Sequence, residues 1–393
     1  KIDRLYNQKI VLDAFLNDLD AQCKEHGYPE VILFTGDLVH NADDEKVYDR
    51  LFDEFIDKLL QVTNCGYGRI YFCPGNHDLQ RTGIKETAES FSKFLNLQDE
   101  RNVANENFFN GEIPKIARQR QRHYFDFVDF FEPDGFLCGD EIVQLYDLEP
   151  LNLSIMSINT AWSGFGGIEK KSDLRKLILP EAPIANAVEK IPNNSFVICA
   201  QHHPTSWLTE TAEQCLLDTL SDKVDMHLFG HVHDPRPEIS KNYNGSTFRN
   251  QSGALYSWID DRYMGYSLLK VKSPEKHLHA VWRTYFQRRR AFGSAEDISD
   301  TGGHLYSCPQ AEAYFSAEIG EAKKEELKSW CNTENKRHIE ELFDQGMVEK
   351  PISKLFVAPP LTKQIFAEDR SEVGSNEFIE VPFTFGEIVD SKD

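Results

Sequence analysis

No apolar run in this 393-residue chain approaches the roughly 18 residues that a membrane-spanning helix needs, so no such span is expected. Cysteine is sparse: the eight thiols are scattered and form no C-x-x-C pair, which excludes a zinc ribbon or a dithiol redox motif. Cys73 and Cys199 lie inside apolar strand-like runs, as small buried thiols do, and a reducing cytoplasm is the expected compartment. Basic charge is also short. Lys and Arg number 43 against 64 Asp and Glu, a formal charge of -21, which opposes tight nonspecific binding to a polyanion. Nucleic acid stays open as a substrate, because bound divalent metals would change the local field. The chain has no G-x-x-x-x-G-K-[ST] phosphate loop, internal repeat or low-complexity tract. It has no leader-like start either, but it opens on Lys1 rather than Met, so the natural N-terminus is expected upstream.

What is present suffices for a substantial core, with 40% hydrophobic residues spread over one large or two ordinary domains. Leu12, Phe15, Leu16, Leu19 and Cys23 recur at helical spacing within residues 8–25, and Gly27 offers a stop. The run 31–34 reads as a buried strand. Residues 44–62 carry Val47, Leu51, Phe55, Ile56 and Leu59 on one helical face and lead to a second strand at 70–73. Helix, strand, helix, strand is the rhythm of parallel α/β architecture.

Residues 79–150 break that rhythm, with a helical stretch at 90–97, Arg118, Arg120 and Arg122, and an aromatic cluster at 124–131. An insertion of this length is expected to be a functional cap. Regularity returns with strands at 153–158, 196–200 and 226–229 and helices at 173–179 and 210–220. Shorter segments at 247–250, 263–271 and 278–286 read as antiparallel strands of a second sheet, and the core domain is expected to end near Arg290. Residues 291–393 hold about twice as many acids as bases and mix a helix at 311–342 with apolar extended segments at 355–360 and 378–385.

Chemistry gathers at the strand ends. The run 70–73 stops at Pro74-Gly75 and is followed at once by Asn76, His77 and Asp78. Three more strands end in Gly36-Asp37, in His202-His203-Pro204 and in Gly230-His231-Val232-His233. A carboxylate, an amide oxygen and neutral imidazoles suit Mn²⁺, Fe, Zn²⁺ or Ni²⁺, and the absence of cysteine disfavours a structural zinc site. A bridging carboxylate at Asp37 would support two ions roughly 3.5–4 Å apart.

Taken in order, Gly36-Asp37-Leu38-Val39, Gly75-Asn76-His77-Asp78, His202 before His203-Pro204, and Gly230-His231-Val232-His233 resemble the motifs of the calcineurin-like metallophosphoesterases over about residues 1–290. The resemblance implies an α/β fold, a two-sheet β-sandwich flanked by helices, with the 79–150 cap and the acidic C-terminal extension added. It implies two divalent ions, Mn²⁺ first and Fe, Zn²⁺ or Ni²⁺ as alternatives. Asp37 would bridge them, Asn76, His202 and His231 would hold the second, and His233 the first. His77 would contact the phosphate or protonate the leaving group, oriented by Asp78. The reaction implied is phosphodiester hydrolysis of nucleic acid or nucleotide by attack of a metal-bound hydroxide. A phosphomonoesterase, including a protein phosphatase, or a silent docking module is the alternative. The D-x-H motif that such proteins carry on their first strand does not occur before Asp37 and is expected upstream of Lys1, since residues 1–6 resemble the segment that follows it.

Other residues are weaker candidates. His40, His203, Arg118 and Arg122 could touch substrate, although on a helix Arg120 would point away from its two neighbours. Trp162 and Trp258 read as core aromatics near loops that border the cleft. The segment 355–360 resembles connectors that join effector domains to P-loop signalling ATPases in large bacterial proteins, some of them antiviral, so a downstream ATPase partner is expected, and an oligomer is open.

Overall fold

A computed structural model describes residues 2–81, 100–165, 173–221, 223–242, 245–257, 263–272, 277–299, 303–307, 361–365 and 379–383. They divide into two compact units, Lys1–Phe315 and Ser316–Asp393.

The first unit opens with α1 (Ile2–His26), whose apolar stripe Val11, Phe15, Leu16, Leu19 and Cys23 is buried. It is followed by β1 (Ile32–Phe34), a helical segment spanning Lys46–Leu51, Phe52–Ile56 and Asp57–Thr63, and β2 (Ile70–Phe72). β1 and β2 pair in parallel, with Leu33 opposite Tyr71. Their residues alternate faces, as a pleated strand requires. Ile70 and Phe72 join the cluster built on α1 and the second helical segment, whereas Tyr71 enters a different one.

A seven-stranded mixed sheet forms the other half. Its strands are β3 (Phe136–Gly139), β4 (Val143–Leu148), β5 (Leu153–Ile158), β6 (Phe196–Gln201), β7 (Met226–Phe229), β8 (Glu238–Asn242) and β9 (Gly245–Gln251), in the order β3-β4-β5-β6-β7-β9-β8. β5, β6, β7 and β9 run parallel. β5 and β6 are buried at every position, which explains their mostly apolar sequences, and the buried Ser154 and Ser157 of β5 are hydrogen-bonded. Their inner residues Ile155, Phe196 and Ile198 meet Tyr71 and the Leu278, Ala280 and Trp282 face of β11 (His277–Phe286). Their outer residues Met156, Ile158, Val197 and Cys199 pack with residues of the helices Glu181–Val188 and Glu210–Leu220. β10 (Gly265–Lys272), β12 (Ala291–Ser294) and β13 (Gly303–Ser307) complete the sheet around β11. The layers are therefore helix, sheet, sheet, helix, the expected sandwich.

Four local expectations differ from the structure. The 79–150 segment is not all cap: residues 82–99 lie outside the described residues, Glu100–Val128 is largely helical, and β3 and β4 belong to the edge of the large sheet. Residues 173–179 form turns rather than a helix. Asp173 Oδ1 accepts from Phe165 N and Ser163 Oγ accepts from Ile178 N, capturing backbone donors in place of a helical ladder, and Arg175 is left-handed at φ 61°. Residues 247–250 fall in β9 of the large sheet, because Phe248 aligns in parallel with Met226. The first unit also continues past Arg290, since β12 and β13 both pair with β11 and their chain cannot leave the sheet before them.

In the second unit, Leu361–Ile365 pairs antiparallel with Ile379–Phe383; the latter lies within the 378–385 segment read as extended, and the former just after 355–360. The helix expected at 311–342 and the connector at 355–360 lie outside the described residues.

One polar cluster ties α1 to the second sheet. Asp18 accepts from Arg283 Nε at 2.9 Å, from Arg283 Nη2 at 2.5 Å and from Tyr266 OH at 2.7 Å, with the Asp18 and Arg283 side chains 11% and 12% exposed. Removing the carboxylate strands a mostly buried guanidinium. Asp18→Ala is expected to cost about 3 kcal/mol in urea-denaturation stability, and Asp18→Asn, which keeps one acceptor, distinctly less.

Candidate metal centre

Four loops meet at the carboxyl ends of β1, β2, β6 and β7, so residues from both sheets face one another there. The approach is so close that side chains are excluded. A Cβ on Gly75 would lie 2.2 Å from Asp37 Oδ1 and 2.3 Å from its backbone N, and one on Gly36 would lie 2.4 Å from His202 Nδ1. Gly36 is moreover left-handed at φ 101°. Asp37, His231 and His233 adopt φ of 56°, 67° and 58°, a region non-glycine residues rarely occupy, and strain of this kind concentrates at functional sites.

His202 is the centre of the arrangement. Its Nδ1 lies 2.7 Å from the Thr35 carbonyl, which can only accept, so Nδ1 carries and donates the proton. In the neutral ring Nε2 is left with a lone pair. That atom faces Asn76 Oδ1 at 3.0 Å, His231 Nδ1 at 3.1 Å and Asp37 Oδ2 at 3.4 Å, and Asn76 Oδ1 lies 2.9 Å from His231 Nδ1. The oxygens of Asn76 and Asp37, which can only accept, thus converge on the His202 lone pair, and with His231 Nδ1 unprotonated a fourth lone pair joins them, an arrangement that a cation resolves.

The protonation energetics agree. Burial alone would raise Asp37, but the charge of His202 and their hydrogen bond outweigh it and hold the carboxyl well below the usual range. Burial alone would lower His202, but Asp37 outweighs it and raises the imidazole. The pair thus favours a proton on His202 facing an ionised Asp37. Burial, followed by the charge of His202, lowers His231 to about 3 and keeps its ring neutral, the form that can coordinate a cation.

His203 stands against the same group. It is fully buried, with Nδ1 3.1 Å from Thr160 Oγ1 and Nε2 without a hydrogen-bond partner among the described residues. Ring nitrogens of His202, His203 and His231 lie within 4.8 Å of one another. An orphaned buried nitrogen beside converging acceptors fits a divalent ion, and a donor set of carboxylate, amide oxygen and imidazoles without thiolate fits a borderline or hard one. Of the two adjacent histidines, His202 is the one that faces Asn76 and Asp37. His203 instead packs against His231 and Trp207, with ring centroids 4.5 and 5.9 Å away.

His233 lines the same cavity two residues beyond His231, and its charge bears on that ring. His77 donates its backbone N–H to Asp37 Oδ1 at 2.9 Å, and its ring stacks on exposed His40 at 5.0 Å. Both line the cavity.

Asp78 does not orient His77. Residues 76–78 form a single 3₁₀ turn, which sends consecutive side chains in diverging directions. The Asp78 carboxylate accepts instead from Gly75 N at 2.8 Å, Leu38 N at 3.3 Å and Tyr48 OH at 3.1 Å, clamping the loops after β1 and β2 together. Burial and the charge of Asp37 raise it to about 7.

Arg118 and Arg122 are not brought to the centre. They pair with Asp126 and Asp129 around a separate shallow depression, because the short helices Glu112–Arg120 and Arg122–Val128 turn them outward. Arg120 points inward and donates to the carbonyls of Trp162 and Gly164 at 2.6 Å, fixing the loop after β5. Trp162 is a core residue, and Trp258 lies outside the described residues. The aromatic that stands against the histidines at the cavity is Trp207, 4.0 Å from the His231 ring. It stands five residues after His202 in a 3₁₀ turn, and only the fold brings it there.

A model of the calcineurin-like phosphoesterase family matches residues 8–235, which contain every residue of the centre. The chain is 26% identical over 296 residues to the uncharacterized metallophosphoesterase-like protein YydB of Bacillus subtilis (strain 168); the match covers 72% of this chain and 57% of that protein, so the chain spans little more than half the length of that relative. Crystal structures of double- and single-mutant Vps29 from Entamoeba histolytica align over 75% of the chain and over 87% and 88% of their own, at 11% identity and a TM-score of 0.30. With its glycines, Asp37, Asn76 and histidines gathered in one centre inside the matched region, this chain belongs to the calcineurin-like phosphoesterase family.

Proposed function

We propose that the chain hydrolyses phosphodiester bonds, of nucleic acid or of a nucleotide, using two divalent metal ions. The observation that carries this reading is the convergence of Asp37, Asn76, His202 and His231 through atoms 2.9–3.4 Å apart. When bound, the ions supply a water of lowered pKa and positive charge against the phosphoryl oxygens. Mn²⁺ is the favoured metal.

The chain's own residues set the rest. Thr35 O holds His202 in the tautomer whose Nε2 can coordinate, and the His77 backbone N–H anchors Asp37. The Asp78 clamp keeps the Asp37 and Asn76 loops in register, so the acceptors are fixed before any ion arrives. His77 faces the cavity where the phosphoryl group would sit.

Charge favours a diester over a monoester. A monoester dianion carries one more negative charge than a diester. Among the described hydrogen bonds, Arg81 is the one strong cation attached to the centre, through His77 and the His40 carbonyl. Trp207, at the cavity wall beside His231, offers an apolar edge to a base.

Asp37→Asn and His231→Ala should each lower Mn²⁺-dependent hydrolysis of an aryl phosphodiester by at least about 100-fold, with the circular dichroism spectrum unchanged. Wild-type rates in both mutants would refute the assignment. Side-by-side kinetics on p-nitrophenyl phosphate and bis-p-nitrophenyl phosphate should give the higher kcat/KM for the diester; the reverse order makes the protein a phosphomonoesterase. Metal analysis of protein made from its full reading frame should find two equivalents, and none would mark a docking module.

A further inference from the structure

Arg81 follows the Asn76–Asp78 turn by three residues and sits beside the part of the centre that faces the cavity. Its backbone N–H donates to Asp43 Oδ1 at 2.6 Å, which fixes where the residue stands. Its Nη2 donates to His77 Nδ1 at 2.8 Å and to the His40 carbonyl at 3.0 Å. His77 Nδ1 also lies 3.0 Å from that same carbonyl.

Two arrangements of the His77 proton compete. If Nδ1 carried it, Nδ1 would donate to His40 O and would meet the guanidinium as donor against donor. A guanidinium nitrogen only donates, so the 2.8 Å contact with Nδ1 requires a lone pair there. The Arg81 N–H then serves both acceptors, and the approach of Nδ1 to His40 O is bridged by it. The single proton of the neutral ring stands on Nε2, the edge turned away from Arg81. Stacking on His40 at 26° between ring planes holds the ring in that orientation.

We infer that Arg81 is a positioning residue that fixes His77 as the neutral Nε2–H tautomer, so that His77 meets the phosphoryl group as a hydrogen-bond donor and not as an acid that gives up its proton. The inference deepens the phosphoesterase reading and rests on it for its kinetic consequence, while its structural content does not. A neutral imidazole that polarises an oxygen without transferring a proton is an established catalytic device, and an adjacent guanidinium is a direct way to enforce it.

The tautomer is read by long-range ¹H–¹⁵N correlation spectra of the metal-free protein at a pH where the ring is neutral, with His77 assigned by comparison with His77→Ala. The wild type should show His77 Nδ1 in the unprotonated range and Nε2 in the protonated range. Arg81→Ala should move both resonances towards the opposite tautomer, as Nδ1–H turns to the His40 carbonyl, and Arg81→Lys, which keeps a donor, should restore part of the wild-type pattern. Kinetically, Arg81→Ala should lower kcat on the aryl diester roughly 10- to 100-fold, as loss of an orienting partner does, and should have no further effect in the His77→Ala background. A protonated Nδ1 in the wild type, or an Arg81→Ala loss of the same size with and without His77, overturns the inference. A wild type without hydrolase activity overturns the phosphoesterase reading and leaves the spectra to decide this one.

Discussion

One buried imidazole joins the two sheets at the point where the chemistry lies. His202 directly follows β6 of the seven-stranded sheet, and its Nδ1–H is donated to the carbonyl of Thr35, directly after β1 of the parallel β1–β2 pair. That bond sets the tautomer and turns Nε2 towards Asp37, Asn76 and His231. It also sets how near the loops must come, and Gly36, Gly75 and Gly230 are the consequence. A side chain at Gly36 or Gly75 would occupy the space of His202 or Asp37, and a Cβ on Gly230 would lie 3.0 Å from the Thr35 carbonyl oxygen, tighter than ordinary van der Waals contact. The motif glycines are thus a packing requirement of the centre as much as a turn requirement.

Around this contact the structure keeps unlike duties apart. Asn76, His77 and Asp78 are adjacent in sequence, yet the 3₁₀ turn sends one to the converging acceptors, one to the cavity and one into the protein. Asp78 stabilises the loops through two backbone N–H groups and Tyr48, a role that needs burial and accepts a raised pKa. Asp37 needs the opposite, an ionised carboxylate, and has it through the compensating charge of His202. Two aspartates a short distance apart are separated in function by the groups that face them.

Composition bears on substrate in the same physical terms. The strongly acidic chain has little to hold a polyanion by charge alone, so the phosphate substrate proposed above would depend on local cations. Arg118 and Arg122 do not serve, since their guanidinium groups are committed to Asp126 and Asp129. Arg81, which carries no motif signal, stands at the centre through contacts to His77 and His40.

Much of the fold and of the centre was legible in the residues alone. The mostly apolar runs at 153–158 and 196–200 read as strands covered on both faces, and the helical stripe of residues 8–25 as a face packed on the core. The convergence of strand ends bearing Asp37, Asn76, His202 and His231 was visible because residues of this chemistry directly after buried strands have few structural explanations. Tertiary structure decided what depends on approach across the chain. It decided that Ile178 N is captured by Ser163 and Leu177 N by the Trp207 carbonyl instead of by a helix, that β3 and β4 extend the large sheet, and that Trp207 reaches the cavity and Arg81 reaches His77 while Arg118 does neither. It also removed Asp78 from His77. A sequence specifies local periodicity and donor types, but which lone pair faces which proton is settled only when strands from two sheets are brought within hydrogen-bond distance.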